Sequence, residues 1–308
     1  MRLYKKAAAV LLAAAMAVSM MTACGGGAGG GSGAVEGVPY TSNAPLAAGV
    51  DADSTTLEKV ISQSESRYLK SLTDLASTEK VYQHVVSAGV SNGVLQEQRD
   101  SVVARNGKFV YLKAGNGSNM HEELFESGEN GSYLYRFLEA GSNKAAVRLF
   151  EKNETSTPET SPSGSNNGVI VVGIQSAQVT VKGSPYYAEI IRYSSGNTVT
   201  ACFEGNKPVP TYEFTSREGT TINAVVYKEI CIGGDKSTIE NRLSGYTVYT
   251  ATFDENNETK GTLKNEKTGD TYEVEVTGKD TYTVKKNGQE TKEIDWLISA
   301  FIKAFAKS

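Results

Sequence analysis

The residues of this 308-residue chain that could do chemistry are few: three cysteines (Cys24, Cys202, Cys231), two histidines (His84, His121) and some serine–lysine and acidic clusters. Most transition-metal sites need three or four nitrogen or sulfur ligands, so this supply argues against a metal centre and against a metal cofactor. His121-Glu122-Glu123 has no second histidine four residues on and is not a zinc-binding helix. Asp254-Glu255-Asn256-Asn257-Glu258 spaces oxygen ligands two apart, as a calcium loop does. Its sixth position is Thr259 instead of glycine and its twelfth is Asn265 instead of a carboxylate, so a solvated hairpin loop fits better. Ser77-Thr78-Glu79-Lys80 would set a nucleophile and a base one turn apart on a helix, but it leads into Val81-Tyr82-Gln83-His84-Val85-Val86, which alternates like a strand. His84 therefore reads as a half-buried strand residue. No Gly-x-Ser-x-Gly elbow, phosphate loop or dinucleotide-binding glycine pattern occurs.

Ser77-to-Lys80, Ser195-Gly196-Asn197 and Lys267-Thr268-Gly269 stand in the chain order of the three motifs of penicillin-recognising enzymes. The resemblance stops there, because that family needs the first serine at a helix N-terminus and the Lys-Thr-Gly on a strand. Here Lys267-Thr268-Gly269 reads as a hairpin turn. With no nucleophile or acid–base constellation in a fitting context, the chain is not expected to be an enzyme, and no catalytic residue is assigned.

Met1-Arg2-Leu3-Tyr4-Lys5-Lys6 is a short basic start, followed by an apolar run from Ala7 to Met21. That run is too short to span ~30 Å of hydrocarbon and has the size and flanks of a secretory signal. It ends in Met21-Thr22-Ala23-Cys24 and here resembles the bacterial lipoprotein family, with Met21 in place of the usual Leu. The resemblance implies a diacylglyceryl group on the Cys24 thiol, cleavage after Ala23, and palmitate-type acyl chains holding the mature protein on the outer face of a membrane. Residues 1–23 are then signal peptide. Residues 24–52 open with Gly25-Gly26-Gly27-Ala28-Gly29-Gly30-Gly31-Ser32-Gly33 and read as a flexible tether with an end-to-end distance of roughly 30 Å.

The remaining cysteines, Cys202 and Cys231, fall in strand-like runs, where an exported chain could join them in a cross-strand disulfide or leave them as half-buried thiols. Beyond the signal the chain has 15 of its 16 tyrosines, more than its 9 phenylalanines. Tyr133, Tyr135 and Phe137 share one strand face. Such rows can bind sugars or apolar ligands, and tyrosine is equally a common structural strand residue.

The elements that position these residues form a body over 53–308. Thr55-Thr56-Leu57-Glu58 reads as a capping box opening a helix over 55–74. From Glu79 to Lys286 the period is two, with runs at 79–88, 93–104, 108–114, 121–127, 132–138, 145–151, 169–182, 186–194, 198–204, 210–216, 221–232, 246–253, 260–264, 271–277 and 281–286. Asn106-Gly107, Asn130-Gly131, Gly196-Asn197 and Asn287-Gly288 mark turns between them. Val169-Ile170-Val171-Val172-Gly173-Ile174 is apolar on both faces and reads as a central strand. Ser237-Thr238-Ile239-Glu240 caps a short helix, and 293–306 form a last amphipathic one. Glu154 to Asn167 has no apolar residue and could subdivide the body or be a loop in it.

The expected fold is mainly β with a few helices (α+β): a large curved antiparallel sheet covered by N-terminal and C-terminal helices. One helix covers about two strands, so two or three helices leave dry sheet face over. That face can pack on itself or stay open as an apolar groove. The open case is similar in element order to lipoprotein-carrier (LolA-like) half-barrel proteins.

Charge excludes one class. There are 31 Lys+Arg against 35 Asp+Glu; without Arg2, Lys5 and Lys6 the balance is 28 against 35, or −7, with no basic stripe for nucleic acid. The expected role is a membrane-anchored surface protein holding an apolar or amphipathic small ligand in a concave sheet face. The alternative is a structural or protein-interaction module of the cell envelope with a filled core. The expected partners are the bilayer, through Cys24, and an apolar ligand or an envelope protein; ligand-binding residues are not assigned.

Overall fold

Alternating runs of Val, Ile, Tyr and Thr become strands because branched and aromatic side chains pack well on a pleated, half-buried surface. The computed structural model describes residues 38–42, 52–117, 119–128, 131–152, 169–254, 257–278 and 281–306. Cys24, the signal segment and the 154–167 stretch lie outside them. The described chain is mostly strand, and all fifteen period-two runs are found as strands. Pairing is antiparallel with one parallel exception among the described pairs.

The described residues fall into two compact units. Unit 1 holds β1 (Val38–Thr41), β2 (Ala52–Val60), helix α1 (Arg67–Ser77), β3 (Lys80–Ser91), β4 (Val94–Asn106), β9 (Val171–Val181), β10 (Ser184–Tyr193), β11 (Asn197–Phe203), β12 (Tyr212–Arg217) and β13 (Thr220–Ile232). Its strands run in the order β2-β9-β10-β11-β12-β13-β3-β4. β1 adds to the part of β13 that β12 leaves free. β5 (Phe109–Asn116) and β6 (Asn119–Gly128) give residues to both units.

Both faces of the central strands of unit 1 are buried. On one face Ala177, Val179, Ala188, Cys202, Tyr212, Phe214, Ala224 and Val226 form a core. On the other, Tyr68 and Leu72 of α1 pack on Ile174, Ile191, Val199, Ala201 and Phe203.

Unit 2 holds β7 (Gly131–Ala140), β8 (Asn143–Lys152), helix α2 (Thr238–Leu243), β14 (Thr247–Asp254), β15 (Asn257–Asn265), β16 (Thr271–Gly278), β17 (Thr281–Lys286), β18 (Gln289–Glu290) and helix α3 (Asp295–Ala306). The order is β6-β7-β8-β14-β15-β16-β17-β18, with β8 and β14 parallel. Leu297 and Ile298 of α3 join Ile294, Leu138, Val147, Leu149, Tyr249, Leu263, Tyr272 and Val284 in its core.

Three expectations change. The helix expected over 55–74 is strand β2 followed by α1, because Thr55 and Thr56 pair with β9 and the working N-cap is Ser66, whose hydroxyl accepts from the Leu69 amide. The tether expected to reach residue 52 is interrupted by β1. Its Tyr40 is buried and shares a 2.7 Å hydrogen bond with Thr211. The strand expected at 169–182 is internal, lying between β2 and β10, but Ile170 and Val172 are exposed where a bulge opposite Arg192 and Tyr193 turns the chain. Of the two alternatives open for Cys202 and Cys231, the structure has free thiols, and both are buried. They lie on β11 and β13 with β12 between, so two strand spacings of ~4.8 Å already exceed the reach of the bond.

Candidate functional site

The chemistry-bearing residues that come together are mostly ones that sequence reasoning did not select. In unit 1, Glu189 on β10 is fully buried and takes four donors: the Ser66 hydroxyl (2.6 Å), the Arg67 and Tyr68 amides (2.8 and 3.0 Å) and the Tyr187 hydroxyl (3.2 Å). It thereby satisfies the amides that α1 leaves open at its N-terminus, where negative charge is also favoured. The Arg67 guanidinium lies 4.4 Å from the Phe203 ring centre and 5.3 Å from that of Tyr187.

Two strands further, on β12, Oε2 of Glu213 accepts from both Tyr68 (2.8 Å) and Tyr227 (2.6 Å). Burial raises the Glu213 carboxyl above its ordinary value against the pull of the two hydroxyls, and burial together with the Glu213 charge raises both phenols. Held protons and satisfied donors describe a structural tie between α1 and the sheet.

In unit 2, Glu126 on β6 is a buried carboxylate. It meets Lys108 (2.5 Å), Arg148 (3.2 Å) and the Tyr135 hydroxyl. Burial pushes its carboxyl up, and the bonds from Lys108 and Tyr135 outweigh this and hold it below the usual range. Arg148 also donates to Thr250 and pairs with Glu266 while its guanidinium caps the Tyr133 ring at 4.6 Å. Arg242 caps the Phe137 ring at 3.6 Å. The aromatic row Tyr133, Tyr135, Phe137 is thus present, with a guanidinium against each of the outer two rings and Tyr135 buried.

His84 is a half-buried strand residue, its Nε2 2.9 Å from Asp100. It faces Glu229 across β3 and β13, and Glu229 is held by Lys236 at 2.5 Å. Cys231 nearby has its thiol raised by burial, and Cys202 is pushed up to about 12. Neither thiol is an activated nucleophile. The penicillin-enzyme motifs are dispersed in local structure: Ser77 ends α1 as Lys80 begins β3, Ser195-Gly196 lie between β10 and β11, and Lys267-Thr268-Gly269 occupy the β15–β16 turn, where Asn265 Oδ1 accepts from the Lys267 and Thr268 amides. Asp254, at the end of β14, pairs with Asn257, at the start of β15, and residues 255 and 256 of the acidic cluster lie outside the described residues. No group of three or more His, Cys, Asp or Glu able to hold a metal occurs among the described residues.

The remaining feature is an apolar groove in unit 2 with a volume of about 60 Å³, where Ile298, Phe301 and Ile302 of α3 meet Phe253, Val274 and Val276 of the sheet. Phe253 and Phe301 stack at 6.5 Å and Phe253 is 49% exposed. This is room for a chain end or one side chain; drug-sized ligands occupy ~300–1,000 Å³. No described helix is long and apolar enough to cross a membrane.

No family model and no curated protein matches the chain. Among solved structures, an uncharacterized conserved protein from Thermus thermophilus is similar at 10% identity and a TM-score of 0.30, over 59% of this chain and 97% of that one.

Proposed function

We propose that the chain is a lipid-anchored extracytoplasmic protein whose body is a non-enzymatic interaction module of the cell envelope. The observation that carries the module reading is the filling of the inward sheet faces by the protein's own side chains. Ala177, Ala188, Cys202, Ala224 and Val226 are completely buried in one core, and Val147 and Leu297 in another. A sheet whose dry faces are satisfied internally presents its outer residues to a partner. The anchor is supported by the basic start, the Ala7–Met21 run and Met21-Thr22-Ala23-Cys24.

A second reading, binding of an apolar or amphipathic ligand under a helix, is supported by the groove between α3 and β14–β16. Titration of the purified protein with an environment-sensitive apolar dye separates the two. The interaction module takes up no dye saturably; saturable uptake that Phe301→Ser abolishes would transfer the proposal to the ligand reading. Intact-mass spectrometry of protein extracted from its native membrane tests the anchor. Expected is a mature chain beginning at Cys24 and carrying diacylglyceryl, and an unmodified Cys24 refutes it.

A further inference from the structure

We propose that the end of unit 1 around β1 is a cationic surface that docks on the anionic headgroups of a bilayer. Four cations meet there. The Arg67 guanidinium donates to the carbonyls of Gly205 (3.2 Å) and Lys207, in the connection from β11 to β12. The Lys207 ammonium lies 5.4 Å from the centre of the Tyr40 ring of β1. Just after β1, the Ser42 amide donates to the carbonyl of Lys228, the bulged residue of β13. The Lys182 ammonium, from the turn between β9 and β10, lies 5.8 Å from the Tyr212 ring centre. Burial, with the Lys228 charge beside it, holds that ammonium below the ordinary lysine range.

Tyr40 and Tyr212 are buried, so the rings under Lys207 and Lys182 are fixed parts of the core. Lys182 and Lys207 are exposed, and Arg67 and Lys228 are half-buried. Carboxylate charges reach the same rings: Glu204 acts on Tyr40 and Tyr186, and Glu189 and Glu58 on Tyr187. Glu189 is already taken up by the α1 amides. Among the described residues, four cations therefore stand with two exposed carboxylates, in a chain whose balance beyond the signal is −7.

Clusters of about four or more Lys and Arg beside a membrane attachment are drawn to anionic headgroups. β1 is the described strand nearest Cys24 in sequence, and it runs among these cations. The place of the cluster thus selects a lipid surface over an acidic protein of equal charge. That selection rests on the anchor proposed above; the cluster itself does not.

Lysine labelling tests the surface. The full chain, extracted from its native membrane, is placed in vesicles of phosphatidylglycerol or of phosphatidylcholine and exposed to an amine-reactive reagent. Peptide masses then follow each lysine. On phosphatidylglycerol, Lys182, Lys207 and Lys228 should react about fivefold more slowly, with less than about a twofold change at Lys260 of unit 2. Salt at about 1 M, where screening acts within ~3 Å, should erase the difference. In a Lys182→Gln, Lys207→Gln variant, changed at exposed positions, Lys228 should lose its protection. Equal rates on the two lipids, or the same slowing at Lys260, overturns the docking surface. So does protection of Lys228 that survives in the variant. The mass of the Cys24 peptide from the same digest is read separately: an unacylated Cys24 removes the anchor, and the lysine rates still decide the surface.

Discussion

Replacing Glu213 by glutamine should make unit 1 more stable relative to the native protein as the pH rises. Burial raises the folded carboxyl above its ordinary value, so the folded state holds the Glu213 proton more tightly than the unfolded chain, where glutamate titrates near 4.3. A group shifted in this direction contributes stability that is present below the unfolded value and lost as pH rises through the folded one. Glutamine cannot ionise, and its carbonyl can still accept from Tyr68 and Tyr227. The stability of Glu213→Gln minus that of the native protein should therefore climb from about pH 4.3, with a slope of at most about 1.4 kcal/mol per pH unit for one proton, and level off above the folded value. Glu213→Leu behaves differently: it strands two buried hydroxyls at about 1–3 kcal/mol each and is destabilised by about 2–6 kcal/mol throughout. Denaturant unfolding followed by far-UV circular dichroism between pH 4 and 8 measures both, since Trp296, the single tryptophan, lies in unit 2. Parallel curves for the native and glutamine proteins, or a native protein that gains on the variant with rising pH, would refute the burial argument.

Two further expectations concern the cores. Leu297→Ala, at a fully buried position of α3, should cost unit 2 about 2–5 kcal/mol, visible as an earlier denaturation midpoint in Trp296 emission; a loss below about 1 kcal/mol contradicts its place in that core. Thiol labelling without reductant should find Cys202 and Cys231 both reactive in the unfolded chain. In the folded protein Cys231 should react before Cys202, whose thiol is fully buried and shifted to about 12; the reverse order, or no reactive thiol after unfolding, contradicts the structure.

Period-two alternation made the strands legible, because it reports a pleated surface with one side drier than the other. Tyr272-Glu273-Val274-Glu275-Val276 is such a case: Tyr272 is buried, Glu273 and Glu275 are exposed, and the segment is β16. The same rule hid the two tying carboxylates of unit 1. Glu189 stands between Ala188 and Ile190, and Glu213 between Tyr212 and Phe214, positions that alternation assigns to a wet face. Helix α1 occupies that face, and nothing local to β10 or β12 announces a helix more than a hundred residues away in the chain.

The misplaced helix has a related cause. A capping box needs a hydroxyl at the N-cap and a carboxylate three residues later, each satisfying the other's backbone. Thr55-Thr56-Leu57-Glu58 has those residues and is a strand, while Ser66-Arg67-Tyr68-Leu69 lacks the acid and begins the helix. The acid of the working cap is Glu189, brought from β10 by the fold, and it takes the Arg67 and Tyr68 amides that a local glutamate would not reach together. A signal read within four residues therefore pointed to the segment able to cap itself, and the helix began where a distant strand does the capping. The formation of α1 is consequently tied to β10 being in place. Tyr68, donating its amide to Glu189 and its hydroxyl to Glu213, is the residue through which the helix registers both strands at once.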